Sequence, residues 1–530
     1  DPHHPVMTTL AGFDRKLIDL LKARAPSLDL IGIQLYGDIG ALPEKLATSG
    51  WTGPYVVTEW GPTGHWESPL TTWKAPIEDD ASRKAVLLQQ RYEQVIAADT
   101  RQATPMKKTT EHPVAPAMGF ATRAVWGGEQ VRHPYNATQV PVVMSAAHAY
   151  DDIDHWYDVA LGSEPGFIYS RMSNPTVAAL EAKLCELESA EAAVAFSSGM
   201  AAISGALYTF LSHGMRVVST RDSYGGTNKI FEEFLPRMGV QVCLCDTLDT
   251  EALEREIAAG CDLLYLETPT NPTLKVLDIR RLSAAAHKVG ALVVADNTFA
   301  TPLNQNPLAL GVDVVVHSAT KFLSGHGDVL GGVVCGAEAL MAQVRHYREI
   351  NGAALDPFSA YLIIRGIKTL AVRLRQQQAS AMALALYLST EPLVEAVNYP
   401  GLPAHAGHAI AKAQMRGFGA IVSFVLKGGM PTVARLLPRL KYAHRAGNLG
   451  AVETIYGPAR TTSHVENTLE ERQALGISEG LVRVSVGIED TDDLLEDLQQ
   501  AFAFVRRSRE PQASAVTRSA VQQPCPETAG

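Results

Sequence analysis

Two apolar runs in this chain end in residues that can do covalent chemistry. Val314-Val-Val-His-Ser-Ala-Thr-Lys321-Phe closes on Ser318, Thr320 and Lys321, and Gly325, Gly327, Gly331 and Gly332 follow. Read as a buried strand, the run delivers a lysine to the edge of a sheet. Desolvation disfavours the ammonium form, and the free amine is a nucleophile. The local string fits a surface lysine after a strand equally well. The second run, Ala291-Leu-Val-Val-Ala-Asp296-Asn-Thr, ends in an acid. A lysine that forms a Schiff base and an acid that meets a pyridinium nitrogen are the protein groups pyridoxal phosphate (PLP) needs most.

Further features fit a phosphate-bearing aldehyde cofactor. Ser197-Ser-Gly-Met-Ala-Ala202 follows a strand-like run and opens an apolar helix. The amides of a helix N-terminus bind phosphate, and Gly199 lets the backbone approach closely. A Ser-Gly turn before a helix is more often only a cap. Ser318 and Thr320 can donate hydroxyls to the same phosphate. Tyr224 in Asp222-Ser-Tyr-Gly-Gly-Thr227 can stack on a pyridine ring or simply pack. Asn271 in Glu267-Thr-Pro-Thr-Asn271-Pro can hydrogen-bond a ring oxygen or mark a turn. Arg483 sits among apolar residues in Leu481-Val-Arg-Val-Ser485. It fits a bidentate grip on a substrate carboxylate and a structural salt bridge about equally.

The elements that must position these groups alternate. Residues 192–196, 216–220, 240–244, 263–266, 292–295 and 312–316 are short apolar or β-branched runs. Continuous apolar strands suit a parallel sheet covered on both faces. Amphipathic segments lie between them: in 176–189, Val177, Leu180, Leu184 and Leu187 recur at helical spacing. The pattern predicts a doubly wound α/β fold, whose ligands bind beyond the carboxyl ends of the strands. Ser198, Glu267, Asp296 and Lys321 all fall at such ends. After about Leu370 the pattern changes to a long helix over 373–389. Strands at 421–426 and 481–485 follow, which predicts a second, smaller α+β domain.

Composition narrows the function. The chain has 530 residues, 46% of them hydrophobic and 19% charged, enough for a sizeable core. A net charge of −10 argues against general nucleic-acid binding. No apolar run is long enough to span a membrane, and no basic-then-apolar leader opens the chain. The six cysteines are scattered and mostly lie in apolar segments, which predicts reduced thiols and a cytoplasmic protein. Cys243 and Cys245 have no second pair at metal-ligand spacing, so no metal site is assigned.

Residues 106–506 resemble the Cys/Met-metabolism family of PLP enzymes, which includes cystathionine γ-synthase, cystathionine γ-lyase, methionine γ-lyase and the O-acylhomoserine sulfhydrylases. Seven strings carry the resemblance in order: Tyr169-Ser-Arg171-x-Ser-Asn-Pro-Thr, Ser198-Gly-Met-Ala-Ala, Tyr224-Gly-Gly-Thr, Glu267-Thr-Pro-Thr-Asn-Pro, Asp296-Asn-Thr-Phe, Ser318-Ala-Thr-Lys321 and Arg483-Val-Ser-Val-Gly-Ile-Glu489. The resemblance implies a type I, aspartate-aminotransferase-like fold, with a large doubly wound, mostly parallel sheet domain and a smaller C-terminal domain. It implies that Lys321 holds PLP and later shuttles protons, and that Asp296 pairs with the pyridinium nitrogen. Gly199, Met200, Ser318 and Thr320 would bind the phosphate. Tyr169 and Arg171 would reach that phosphate from a neighbouring subunit, so each site would need at least a dimer, within a dimer of dimers. Tyr224 would stack on the ring and assist proton transfer, Asn271 would face the ring oxygen, and Arg483 would hold the substrate α-carboxylate.

Departures from the family bear on substrate choice. Methionine γ-lyases carry a cysteine where this chain has Gly226. Cystathionine enzymes usually have Glu-Ser-Leu-Gly where this chain has Gly447-Asn-Leu-Gly450, and the absent glutamate counts against cystathionine. Asn448, a candidate substrate contact, and Thr461-Thr-Ser-His464 resemble the sulfhydrylases. Lys229 stands where γ-lyases often have arginine. The motif set as a whole leans to the γ-synthase/γ-lyase branch, with a sulfhydrylase or methionine γ-lyase as the alternative.

Residues 1–105 differ in character. Pro54-Tyr-Val-Val-Thr-Glu59-Trp-Gly-Pro resembles the strand end that bears the nucleophilic glutamate of a TIM-barrel glycoside hydrolase. Glycoside hydrolysis needs a second carboxylate from an earlier strand, and a partial (β/α) barrel cannot close its sheet, so this fragment is expected to be inactive. Met106 opens Met-Lys-Lys-Thr-Thr-Glu in a polar passage and resembles a start, which suggests two unrelated segments joined near residue 105, by fusion or by gene assembly. The expected organisation is a hydrolase-like fragment at 1–105, an arm at 106–165, a PLP-binding large domain at 166–370, a small domain at 371–506 and a disordered tail at 507–530.

Overall fold

The computed structural model describes residues 118–129, 133–465 and 467–507, together with the backbone of three strands nearer the N-terminus. The chain separates into two compact units, 1–117 and 118–530. In the first, β1 (Met7–Ala11), β2 (Leu30–Tyr36) and β3 (Tyr55–Gly61) form a parallel sheet in that order. Glu59 lies in β3, but its side chain is outside the described residues, as are Met106 and residues 508–530.

The second unit is built on a mixed seven-stranded sheet. Its strands are β4 (Ala192–Phe196), β5 (Arg216–Thr220), β6 (Gln241–Cys245), β7 (Leu263–Glu267), β8 (Leu292–Asp296), β9 (Val314–Ser318) and β10 (Gly332–Gly336). Their order is β4-β10-β9-β8-β7-β5-β6. All neighbours are parallel except β10, which is antiparallel to β4 and β9. Alternate residues enter cores on opposite faces, as the two-residue period of a strand requires. Leu264, Leu266, Val293 and Val315 pack on one side with Leu180, Leu184 and Leu187 of α1 (Pro175–Glu188). Leu263, Tyr265, Val294 and Val316 pack on the other with Ala202, Ile203 and Leu207 of α2 (Gly199–Phe210). This two-sided burial is why the strands read as continuous apolar runs.

Local signals start and stop these helices. Asn174 caps α1, its Oδ1 accepting from Thr176 N–H at 2.9 Å, and Pro175 fills the first helical position, where its missing N–H does no harm. Ser189, in the left-handed region, ends it.

The structure shifts some expected boundaries. β6 and β9 begin one and two residues later than the sequence reading, and β9 runs through His317 and Ser318. β10 was not foreseen: Gly-Val-Val-Cys-Gly is bracketed by glycines that weaken a strand signal. Its backbone nevertheless pairs with both β4 and β9.

The remainder forms a second core. α3 (Leu370–Thr390) starts in the first core with Leu370 and Leu374 and ends in the second with Ala381, Leu384 and Leu388. There it meets a five-stranded sheet of β11 (Val394–Asn398), β12 (Ile421–Leu426), β13 (His444–Arg445), β14 (Ile455–Pro458) and β15 (Leu481–Ser485). The order is β11-β12-β15-β14-β13, antiparallel except for β13 with β14. α4 (Thr491–Arg507) covers it with Leu494, Leu498 and Phe502. Each large apolar side chain buried here contributes about 1.5–3 kcal/mol. Among the described residues no helix is long and apolar enough to cross a membrane.

Candidate active site

The carboxyl ends of the parallel strands converge on a cavity of about 220 Å³. β4 leads into Ser198 and the N-terminus of α2, β7 ends on Glu267, β8 on Asp296 and β9 on Ser318. Gly199, Met200, Tyr224, Asn271, Asp296, Ser318, Thr320, Lys321 and Arg483 all line this one space, as the sequence reading expected.

At one end lies an anion cradle. The amides that open α2 point away from the helix and carry its positive dipole end. Ser198 caps the helix, its Oγ accepting from Ala201 N–H at 3.1 Å, which leaves its hydroxyl proton free to donate elsewhere. Gly199 faces Ser318 so closely that a Cβ there would come within 2.6 Å of the serine Oγ. Only glycine allows both to border the same space. Thr320, which lines the same cavity, also braces the backbone before β10: its hydroxyl donates to Gly331 O at 3.2 Å and accepts from Gly331 N–H at 3.0 Å.

On the cavity floor two carboxylates sit side by side, since Glu267 and Asp296 are register partners on β7 and β8. Burial pushes the Asp296 carboxyl up, while the Thr298 N–H, 2.9 Å from Oδ1, and the charge of His317 pull it back. Burial drives Glu267 well above the usual carboxylate range, and the neighbouring charge of Asp296 adds to this. Glu267 also holds two loops: Oε2 accepts from Tyr224 N–H at 2.7 Å, and Oε1 from Asn271 N–H at 3.1 Å.

Two cations face the same space. Burial, helped by the charge of Arg483, lowers the Lys321 amine to about 8, and its Nζ donates to Asn448 Oδ1 at 2.8 Å. Arg483 is 4% exposed, and burial lowers it to about 10. Its Nη1 donates to Asn271 Oδ1 at 2.9 Å and its Nη2 to the Asn448 carbonyl at 3.1 Å. Among the described residues no carboxylate pairs with either cation, so the salt-bridge reading of Arg483 does not hold. Asn271 is thus occupied with Arg483 through its oxygen.

Asn448 lies between Lys321 and Arg483 because its loop presses on the lysine backbone. Gly450 has φ +79°, and a Cβ there would meet Phe322 N at 2.6 Å. Its N–H donates to Ser485 Oγ at 2.7 Å. Tyr224 stands at the cavity edge, 40% exposed.

Two expected residues are not brought in. Tyr169 is 43% exposed, with the Arg171 guanidinium 5.2 Å from its ring centroid, and neither lines this chain's cavity. Lys229 pairs with Glu233 at 3.1 Å. Thr298, Thr462 and Ser463 line the cavity without having been singled out individually. Each belongs to one of the strings above, Asp296-Asn-Thr-Phe or Thr461-Thr-Ser-His464, in which a hydroxyl residue carries no chemical signal of its own. Ser463 Oγ lies 2.9 Å from His464 Nδ1, and burial lowers that imidazole to about 4.

An amine at a reduced pKa, a buried acid, a helix N-terminus with hydroxyls and an arginine without a carboxylate partner among the described residues can together hold a phosphorylated aldehyde beside an amino acid. Comparison with known proteins agrees. Residues 121–503 match the family described as Cys/Met metabolism PLP-dependent enzyme. The L-methionine γ-lyase of Fusobacterium nucleatum is 42% identical over 387 residues, 72% of this chain and 98% of that protein. The cystathionine γ-lyase of Bacillus subtilis is 45% identical over 343 residues, 64% of this chain and 90% of that one. A solved cystathionine γ-synthase from Xanthomonas oryzae pv. oryzae aligns with a TM-score of 0.70 at 37% identity, over 74% of this chain and 99% of that one. The glycoside-hydrolase resemblance of residues 1–100 is not borne out by these matches.

Proposed function

Since the chain belongs to the Cys/Met-metabolism family of PLP-dependent enzymes, we propose that it performs γ-elimination or γ-replacement on a γ-substituted amino acid, as a cystathionine γ-lyase or γ-synthase does. The observation that carries this reading is the pair of buried cations, Lys321 and Arg483, that share one cavity with Asp296 and have no carboxylate partner among the described residues.

The residues present fit PLP. The Gly199–Ser318 approach leaves a cradle at the start of α2 that a Cβ would fill, and the buried acid at the end of β8 suits a protonated ring nitrogen. PLP, when bound, supplies an electron sink for negative charge that develops on the substrate. Lys321 would hold the cofactor through Nζ, and the same atom would carry protons between substrate carbons. Its lowered pKa keeps a usable fraction of neutral amine near neutral pH. Asp296 would hold the ring nitrogen, and Tyr224 would cover the ring. The α2 amides and Ser318 would hold the phosphate. Arg483 would bind the substrate α-carboxylate through its remaining N–H groups, its guanidinium already oriented by the bonds to Asn271 and Asn448.

Tyr169 and Arg171, exposed in the single chain, would complete the site of a second copy, so the working enzyme is a homo-oligomer acting on a small amino acid in the cytoplasm. Residues 166–370 would then form the cofactor domain and 371–506 the domain that brings the substrate arginine.

The test is 2-oxobutanoate release by the purified, PLP-loaded protein. It is offered cystathionine, O-acetylhomoserine, O-succinylhomoserine and methionine, each with and without cysteine. Keto acid from cystathionine identifies a γ-lyase. Cysteine consumed with an acylhomoserine, without keto acid, identifies a γ-synthase. Methionine as the best substrate would overturn the weight given to Gly226, and no turnover of any of these would overturn the proposal.

A further inference from the structure

A buried arginine outside the cavity grips the backbone of an exposed turn. Arg348, on the helix Glu338–Asn351, is 3% exposed. Its Nη1 donates to Glu181 Oε1 and to the Ala195 carbonyl, both at 3.0 Å. Its Nη2 donates to the Met172 carbonyl. Glu181 lies on α1, and the same Oε1 accepts from Ala195 N–H at 2.8 Å. Met172 closes the turn: its N–H donates to the Tyr169 carbonyl at 2.8 Å, with Ser170 and Arg171 between them. Above this anchored backbone the side chains of Tyr169 and Arg171 stand exposed, stacked on one another.

A buried ion pair is a poor device for stability alone, since desolvating two charges offsets most of their attraction. Two of the Arg348 bonds brace β4 and α1. The third fixes backbone whose exposed side chains do not line their own chain's cavity. On its outer side the turn leans on an exposed segment: Ser170 N–H donates to Ala146 O at 2.8 Å, and Ala147 bridges to Tyr169. On its inner side Asn174 Nδ2 donates to Ser170 Oγ at 3.0 Å, and Arg348 ties Met172 directly to β4. Exposed Tyr and Arg side chains grip a ligand well only from a fixed backbone, because ordering them on binding costs affinity.

We infer that Arg348 is a positioning residue for the site of a second copy of this chain: by holding Met172 it sets the turn from which Tyr169 and Arg171 reach the neighbour's phosphate cradle. The inference rests on the PLP reading above and on Tyr169 and Arg171 serving that second copy. The bond to Ala195 points to a competing assignment, since β4 leads into Ser198 and the chain's own cradle. The geometry favours the turn. Without Arg348, β4 keeps its ladder with β10 and the Glu181 bond at Ala195. The Met172 carbonyl, by contrast, is held by Arg348 itself.

The test uses hybrids of two differently tagged full-length chains, made by co-expression, stripped of PLP and titrated with it. Visible absorbance then reports only the sites that contain Lys321. Arg348→Met alone should weaken PLP binding about tenfold, the loss expected for one hydrogen bond from a charged donor. Pairing Arg348→Met with Lys321→Ala sets an intact turn beside the lysine-bearing site of each mixed pair, so a phase with wild-type affinity should reappear. Pairing wild type with the double variant Arg348→Met/Lys321→Ala should do the reverse and bring in a phase about tenfold weaker. A first hybrid that shows only the weak phase would overturn the inference, because Arg348 would then act on its own chain's site. Arg348→Met protein that binds PLP as wild type does would overturn it too. If Arg348→Met does not fold, Arg348→Lys takes its place with the same expectations, since an ammonium can pair with Glu181 but cannot fork to Met172 as well. Wild-type protein that takes up no PLP overturns the functional reading and this inference with it. Wild-type protein that binds PLP as a monomer overturns the inference alone.

Discussion

The two sheets of the second unit contribute to one cavity in different ways. The seven-stranded sheet offers residues at strand ends, where a parallel strand stops and its side chains are released into the crevice. The five-stranded sheet offers Arg483 from the middle of β15, flanked by strands on both sides. A residue at a strand end can be moved by its loop. Arg483 is fixed by its register with Ser423 and Gly457 and by two oxygens from other loops. The strand ends therefore suit groups that change state during a reaction, and the mid-strand arginine suits a fixed anchor. Chemistry and anchoring should separate when each sheet is damaged in turn.

The largest effect should come from Lys321→Ala. With the proposed nucleophile and proton carrier gone, kcat should fall by about 10³-fold or more, and the visible absorbance of the loaded enzyme should disappear. Arg483→Ala should act mainly on binding, lowering kcat/KM by about 100-fold, the equivalent of two charge-assisted hydrogen bonds, chiefly through KM. Arg483→Lys should recover only part of that loss, because a point charge cannot reproduce a planar fork. A purely kcat effect at Arg483 would break the distinction between the sheets.

Glu267→Ala tests the joint between the two regions. Glu267 holds the backbones of Tyr224 and Asn271, and Asn271 in turn holds Arg483. Its loss should reduce kcat/KM by about tenfold, the price of two unmade hydrogen bonds to a buried acceptor. Steady-state kinetics would show whether KM and kcat move together, as they should when one residue supports both sheets.

The smallest effect is a pH shift. The Lys321 amine stands at about 8 because of burial and, secondarily, the charge of Arg483. The rate at which apoprotein captures PLP should rise through about pH 8 as the amine loses its proton. In Arg483→Met that midpoint should move upward, since a repelling charge is gone. The linkage runs the same way in stability. An unfolded lysine keeps its proton to about 10.4, so the unfolded state binds more protons between about pH 8 and 10.4, and apoprotein stability should rise with pH across that window. Lys321→Met should remove the rise. A flat profile in wild-type apoprotein would show that Lys321 is solvated and not poised.

Much of the cavity was legible before the fold was. An apolar run broken by Asp296, by Ser318 and Lys321, or by Ser198 and Gly199 marks a strand end, because a two-sided buried strand tolerates polar groups only where it emerges. The burial of Arg483 was also legible, since it interrupts an apolar strand. β10 was not, because its glycines mimic a turn. The hub role of Glu267 was not either, because its partners lie 43 and 4 residues away and use only backbone N–H groups, which every residue but proline has.

The sequence by itself determined the alternating elements, the family and most of the residues that border the cavity. Apolar periodicity and strand-end chemistry are local properties, and local properties are written in order along the chain. The tertiary structure decided which groups meet. Asn448 reaches Lys321 across 127 positions, and Arg483 reaches Asn271 across 212. It also decided their charge states, because burial and neighbouring charges shift a pKa and both exist only once distant strands have packed.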